Sequence, residues 1–236
     1  KAHKELQKIC TSNIKNEVGK CIYTHMLNPD GGIETDLTVV CIEKDHFRII
    51  SSAATRERDK FHIKKYLAKD LELKDVTDDF CVFGVFGPKS RALMKSISKD
   101  NFENDEFRFG TAKYISIEGI KIWTQRLSYV GELGFELYVR SKEAKKIYEL
   151  LIDKGKDFNL SNCGMHAMDI MRMESGFLHW GHDISPEENQ YQAGLSFTIS
   201  YKKEVEFIGK KALEKIKKEK IKSRFAMFTL KDSKPG

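Results

Sequence analysis

Ser128-Tyr-Val-Gly-Glu-Leu-Gly-Phe-Glu-Leu-Tyr-Val-Arg140 joins a glycine-bearing loop to a strand. Phe135, Leu137 and Val139 alternate with Glu136 and Tyr138, the two-residue period of a half-buried strand. Gly131 and Gly134 stand where the backbone either takes a conformation other residues resist or lies close to a ligand. The polar face of the strand therefore carries a carboxylate beside a phenol. A carboxylate accepts two donors side by side, which suits a planar, hydrogen-bonding heterocycle. A surface hairpin with a solvated Glu is the alternative from this stretch alone.

Outward from it, the chain repeats one theme. Residues 81–86 read as a buried strand, and Gly87-Pro88 opens a helix through Leu93, Met94 and Ile97. Residues 107–117 and 120–127 read as two further strands, and a helix begins at Ser141 as N-cap with Ile147, Leu150 and Leu151 as its stripe. Earlier, 19–27 and 33–40 read as strands around Asn28-Pro-Asp-Gly-Gly32, dense turn chemistry. Ile33, Thr35, Leu37 and Val39 share one face of the second strand; Glu34, Asp36 and Thr38 share the other. Residues 47–50 make a third strand and 55–69 a helix. Antiparallel strands grouped with helices give an α+β protein of two similar halves, with no visible repeat or linker.

Downstream, 164–177 reads as a methionine-rich helix whose Met165, Met168, Ile170, Met171 and Met173 are expected in the core, with Arg172 and Glu174 projecting. His179-Trp-Gly-His-Asp183 follows as a loop, then a strand at 191–199, a basic helix from Lys210 and a strand-like run at 224–230. The basic run, interspersed with Glu214 and Glu219, reads as a solvated helix face.

The chain has 236 residues with 41 basic and 35 acidic, a net charge of +6 that is mixed along its length and so does not point to nucleic acid. Five dispersed cysteines read as reduced thiols in a cytoplasmic setting, with neither disulfide framework nor zinc site. No apolar run is long enough for a membrane span, and no G-x-G-x-x-G, P-loop or G-x-S-x-G motif is present. The chain begins inside a helical pattern and stops just after the run at 224–230, so a fragment of something longer is expected.

Asp36 is the candidate for chemistry. Aspartate is a poor strand former, yet this one sits mid-strand. A partly shielded carboxylate there can orient an amine and manage its proton during attack on an electrophile; an exposed edge-strand Asp is the plain alternative. His179, His182 and Asp183 lack the further ligand that zinc needs and read as a polar loop with Trp180 as its apolar plug.

Three stretches together carry a resemblance: Tyr-Thr-His-Met-Leu-Asn-Pro-Asp-Gly-Gly-Ile-Glu-Thr-Asp-Leu-Thr-Val (23–39), Ser-Tyr-Val-Gly-Glu-Leu-Gly-Phe-Glu-Leu-Tyr-Val (128–139) and Met-Arg-Met-Glu-Ser-Gly-Phe (171–177). In this order they resemble the folate-binding aminomethyltransferase family, which includes the T protein of the glycine cleavage system. His-Trp-Gly-His-Asp and Glu-Thr-Asp-Leu-Thr-Val are more similar to the folate domains of dimethylglycine and sarcosine dehydrogenases. The resemblance covers two central subdomains, one folate domain over 1–236 with divisions near 80 and 190. It leaves out the family's first strand, its carboxy-terminal barrel and any flavin domain.

The resemblance implies two ferredoxin-like α/β subdomains whose antiparallel sheets form a central folate cavity. Asp36 falls on the family's essential aspartate, Tyr129 on a tyrosine of the folate pocket, and Glu136 on the residue that holds the pterin's amino and ring N–H groups. Leu37, Thr38, Leu137 and Tyr138 would flank these, and Phe197 would lie against the folate. The implied activity is tetrahydrofolate-dependent one-carbon transfer, capturing a methylene from an N-methylglycine-derived iminium to form 5,10-methylenetetrahydrofolate. Its partners are folate, a small amine and a flavin-dehydrogenase domain; FAD enters only through that separate domain. Two alternatives are a stand-alone aminomethyltransferase fed by a lipoyl carrier and a non-catalytic module in tRNA modification or iron–sulfur assembly. Met168 replaces the T protein's arginine, which favours the dehydrogenase branch, and Gln192 replaces a glutamate.

Overall fold

Alternating apolar residues in three successive segments build the first sheet of the computed structural model, which describes residues 1–219 and 221–231. Strands β1 (Cys21–Leu27), β2 (Ile33–Glu43) and β3 (His46–Ile50) pair antiparallel in that order. The β1–β2 turn closes because Asn28 Oδ1 accepts from the amides of Gly32 at 2.9 Å and Asp30 at 3.0 Å, an aspartate-type turn. Leu37 and Val39 pack with Leu6 and Ile9 of helix α1 (Ala2–Ile9) and Ile63 of helix α2 (Arg56–Tyr66). One face of the sheet is thereby sealed, and β2 lies at its centre, so Asp36 is not on an edge strand.

The second sheet has the order β4-β7-β6-β5, formed by β4 (Phe80–Phe86), β5 (Ala112–Ile117), β6 (Ile120–Gln125) and β7 (Gly134–Arg140). Its outer face is covered by helices α3 (Ser90–Ile97) and α4 (Ala144–Gly155). Phe135 there meets Phe102 edge-on at 5.3 Å between ring centroids, a favoured aromatic geometry. The inner face carries Trp123 and Tyr138, which pack against Cys21, Val40 and Ile42 of the first sheet. The two sheets thus face one another, with helices on both outer sides.

A backbone junction fixes how they face. Just ahead of β1, the Gly19 carbonyl accepts from the Ala112 amide at 2.7 Å, and the Cys21 amide donates to the Gly110 carbonyl at 3.0 Å. Gly19 has φ +82°, and a Cβ there would stand 2.4 Å from the Ala112 carbonyl oxygen. Glycine alone allows this approach.

Beyond the sheets lie helix α5 (Met165–Glu174) and helix α6 (Lys210–Lys218). Leu213 of α6 and Phe207 close over Leu27 and Ile33 at the β1–β2 turn, while Lys211, Lys215, Lys217 and Lys218 are exposed, as expected of that basic run, and Lys210 is half-buried.

Several local expectations give way to tertiary packing. The strand expected from 107 begins at Ala112, because the preceding residues turn to bury Phe102 and Phe107. Pro88 precedes α3 by two residues, and Ser141 starts a short 3-10 turn and donates to the Asp78 carbonyl at 2.8 Å instead of capping α4. Residues 191–199 form turns and a 3-10 segment, Ser196–Thr198, held by local bonds such as Leu195 N to Gln190 O at 2.8 Å. The run at 224–230 has no ladder partner and leaves Phe228 85% exposed. Helix α5 reverses its expected orientation: Met165, Ile170 and Met173 are exposed, and Arg172 is the residue it buries. Among the described residues no helix is long and apolar enough to cross a membrane.

Two glycines separate backbone strain from collision. Gly119 has φ +78°, and a methyl group added there would meet nothing within 4 Å, unlike one at Gly19. Gly119→Ala is expected to lose about 1–2 kcal/mol, and Gly19→Ala about 1–3 kcal/mol more. Urea midpoints of the two variants measure the difference.

Candidate active site

Residues directly paired across an antiparallel ladder point to the same side. His25 pairs with Asp36, Tyr23 with Thr38, and Cys21 with Val40. Since Val40 and Cys21 face the second sheet, Asp36, Thr38, Tyr23 and His25 face it too. A bulge between Met26 and Leu27 sets this register. Without it, Asp36 would lie opposite Thr24, whose side chain belongs to the other face.

Asp36 is partly buried, and the Tyr23 hydroxyl donates to its Oδ2 at 3.3 Å. Burial pushes its carboxyl above the usual aspartate value; the Tyr23 hydrogen bond opposes this, and the Asp59 carboxylate reinforces it. The Tyr129 hydroxyl lies close enough to Asp36 to feel its charge, and burial raises that phenol to about 12. His25 beside them is completely buried, with burial lowering its pKa to about 3, and its Nε2 has no partner.

On the facing sheet, Glu136 pairs with Gln125 of β6 and Gly84 of β4, and Tyr138 with Trp123. These side chains point inward while Phe135, Leu137 and Val139 fill the outer core. The Tyr138 hydroxyl donates to Glu136 Oε2 at 2.9 Å, and burial raises the Glu136 carboxyl above its ordinary value. Cys21 bridges the two neighbourhoods. Its thiol, raised to about 12 by burial and by the Glu136 charge, lies 3.8 Å from Gln125 Oε1. Cys21 is two residues before Tyr23, about 7 Å along the strand. Asp36 pairs with His25, four residues and about 13 Å along β1 from Cys21, so the two neighbourhoods lie at different levels between the facing sheets. Among the described residues neither carboxylate has a lysine or arginine partner within ion-pair distance.

A clamp holds the 179–183 loop over the Asp36 end. Trp180 Nε1 donates to the Ile33 carbonyl at 2.9 Å, and the Arg58 guanidinium stacks on its ring at 4.3 Å while pairing with Glu34. Arg172, 4% exposed, binds Asp169 at 2.7 Å, the Phe177 carbonyl at 3.0 Å and Asp183. Tyr129 donates to the Leu178 carbonyl at 3.0 Å. Among the described residues no group of His, Cys, Asp and Glu forms a metal site.

The structure brings Asp36, Thr38 and Tyr129 to one end of the gap and Glu136 and Tyr138 to the other. It does not bring Leu37 or Leu137: both side chains point away, 3% and 0% exposed in the two outer cores. Phe197 is 76% exposed on its 3-10 turn, with its ring at the surface. Tyr23, His25, Arg48 and Gln125 are the residues sequence reasoning missed. The signal for Tyr23 and His25 was the alternation of 21, 23 and 25; Arg48 and Gln125 come from other strands, β3 and β6. Arg48 lies over the rings of Phe80 and Tyr138 at 4.7 and 5.5 Å. It lines a hollow of about 300 Å³ at the β3 edge, with Ile50, Ser51, Asp59, Val82 and Tyr138.

A buried carboxyl whose pKa is raised prefers the protonated state in the folded chain. Below the ordinary carboxylate range both states are protonated and nothing is lost. As pH rises through the folded value, the protein carries a buried charge and stability falls. Asp36→Asn is therefore expected to be more stable than the wild type near neutral pH, with the gain vanishing by about pH 3. Urea titrations at the two pH values test this.

The sequence matches the family described as "GCVT N-terminal domain" over residues 1–203. It is 32% identical over 222 residues to human mitochondrial dimethylglycine dehydrogenase, covering 93% of this chain and 26% of that protein. It is 35% identical over 230 residues to 4-methylaminobutanoate oxidase (formaldehyde-forming) of Paenarthrobacter nicotinovorans, covering 97% and 28%. The aminomethyltransferase of Halothermothrix orenii is 32% identical over 232 residues, 98% of this chain and 64% of that one. The chain thus spans about a quarter of the dehydrogenase and the oxidase and under two thirds of the transferase. In fold it is similar to the glycine cleavage system aminomethyltransferase T of Bartonella henselae, with a TM-score of 0.77 at 23% identity over 92% of this chain and 58% of that one. With the antiparallel sheets, the facing carboxylates and the match over most of its length in agreement, this chain belongs to the GCVT N-terminal domain family.

Proposed function

We propose that this chain is a tetrahydrofolate-binding domain that transfers a one-carbon unit from a methylated amine. The observation that carries the reading is the pair of partly buried carboxylates, Asp36 and Glu136, on facing sheets. Each has a single tyrosine hydroxyl at hydrogen-bond distance, and none of the described cations is paired with it. Buried carboxylates with raised pKa and no counter-ion are costly for a fold and are concentrated where proton chemistry occurs.

The two ends of the gap suit the two parts of a reduced pterin. Glu136, steadied by Tyr138, offers paired acceptor oxygens to adjacent N–H groups of the ring. Asp36, steadied by Tyr23, stands further along the same inward face and accepts the proton that a folate nitrogen gives up on attack. Bound tetrahydrofolate supplies the nitrogens that take up a carbon at the formaldehyde level, giving 5,10-methylenetetrahydrofolate and the demethylated amine. Tyr129 and the clamped 179–183 loop limit water at the Asp36 end. An iminium derived from an N-methylglycine is the preferred donor; the likeness to dimethylglycine dehydrogenase and Met168 in place of an arginine support it.

Calorimetry with tetrahydrofolate, followed by an assay of formaldehyde-equivalent uptake, tests the reading. Asp36→Asn is expected to bind tetrahydrofolate within a few-fold of wild type and to transfer at least about 10²-fold more slowly. Glu136→Gln is expected to weaken binding itself. Absence of tetrahydrofolate binding to the wild-type chain would sink the proposal.

A further inference from the structure

Gln125 is a buried amide that the fold leaves half used. It is 0% exposed at the end of β6 and pairs in register with Glu136, so the two side chains share the inward face about 5 Å apart at Cβ. The Cys21 thiol, on the opposite sheet, donates to Gln125 Oε1 at 3.8 Å. The amide therefore reaches toward the opposite sheet, with Oε1 facing the thiol. Its Nε2 is buried with no partner. Buried amide donors are almost always satisfied, and neither Glu136 nor Tyr138, which bond each other, takes this one.

We propose that Gln125 is a specificity residue that donates from Nε2 to the 4-oxo group of the bound pterin. The inference rests on the folate reading and extends it. The edge of a 2-amino-4-oxo pteridine runs donor, donor, acceptor: the 2-amino group, N3–H and O4. Glu136 presents the two acceptors that match the first pair. Gln125, its ladder neighbour, presents the donor that matches O4. A 2,4-diamino ring places an NH₂ group where O4 was, donor against donor, and it also replaces the N3–H that Glu136 accepts from with a bare nitrogen.

The test compares calorimetric affinities of the wild-type chain for tetrahydrofolate and for its 2,4-diamino counterpart. The wild type is expected to prefer tetrahydrofolate by about tenfold. Gln125→Met, which keeps the volume and removes the donor, should shrink that preference by weakening tetrahydrofolate, leaving the part that Glu136 draws from N3–H. Gln125→Asn, which withdraws the amide by one carbon, should fall between. Glu136→Gln should weaken tetrahydrofolate more than the diamino ring, since the 2-amino group is common to both but N3–H is not. Equal binding of the two pteridines by the wild type overturns the proposal without any variant. So does an unchanged ratio in a Gln125 variant whose thermal melt shows it folded. Failure of the wild type to bind either pteridine is a separate result that removes the folate reading itself.

Discussion

The close backbone approach at Gly19 and Ala112 is the constraint on which the site depends. Two antiparallel sheets, each sealed by helices on its outer side, could slide or splay if only side chains joined them. The 2.7 Å bond between the Gly19 carbonyl and the Ala112 amide, with Cys21 bonded to Gly110 beside it, ties the start of β1 to the start of β5. Once those ends are tied, Cys21 must lie over Gln125 and Glu136, and the rest of β1 carries Tyr23 and Asp36 along the same gap. A positive φ and the absence of a side chain make that tie available only to glycine.

Around this gap the molecule divides its labour. The outer faces hold the aliphatic and aromatic cores, where Phe102, Phe107 and Phe135 meet on one side and Leu6, Ile9 and Leu37 on the other. The inner faces are built from polar groups that burial disfavours: two carboxylates, a neutral histidine, an arginine stacked on aromatic rings and an amide with an idle donor. Such a set lowers stability, since each group gives up water for an incomplete set of partners. The outer cores offset that loss. Sites of this kind are where a fold departs from the arrangement that would be most stable.

The division explains which sequence expectations held. The strands, the Asn28–Gly32 turn and the inward direction of Asp36, Glu136 and Tyr138 follow from alternation and turn chemistry, which are local. The placements of Leu37 and Leu137 were carried by resemblance, and their own alternation already pointed them outward. Residues 191–199 alternate well enough for a strand, yet they form turns and a 3-10 segment, and Gln190 and Thr198 are drawn onto His25 at 3.3 and 3.0 Å. Helix α5 has apolar residues on most sides, and the ion pairs of the buried Arg172 with Asp169 and Asp183 decided its rotation. A pattern that is apolar nearly all round does not say which side faces in.

By itself the sequence determined the strands of the two sheets, the face of each that would carry polar groups, and the family, because these depend on residues close together in the chain. Only the tertiary structure decided that Asp36 and Glu136, a hundred residues apart, lie on the facing sides of two sheets, and that Cys21 meets Gln125 between those sheets. The register of β2 against β1 turns on a single bulge, and the alignment of the two sheets on a single glycine contact. Neither leaves a periodic trace in the residues, since each is a matter of where two separate backbones meet.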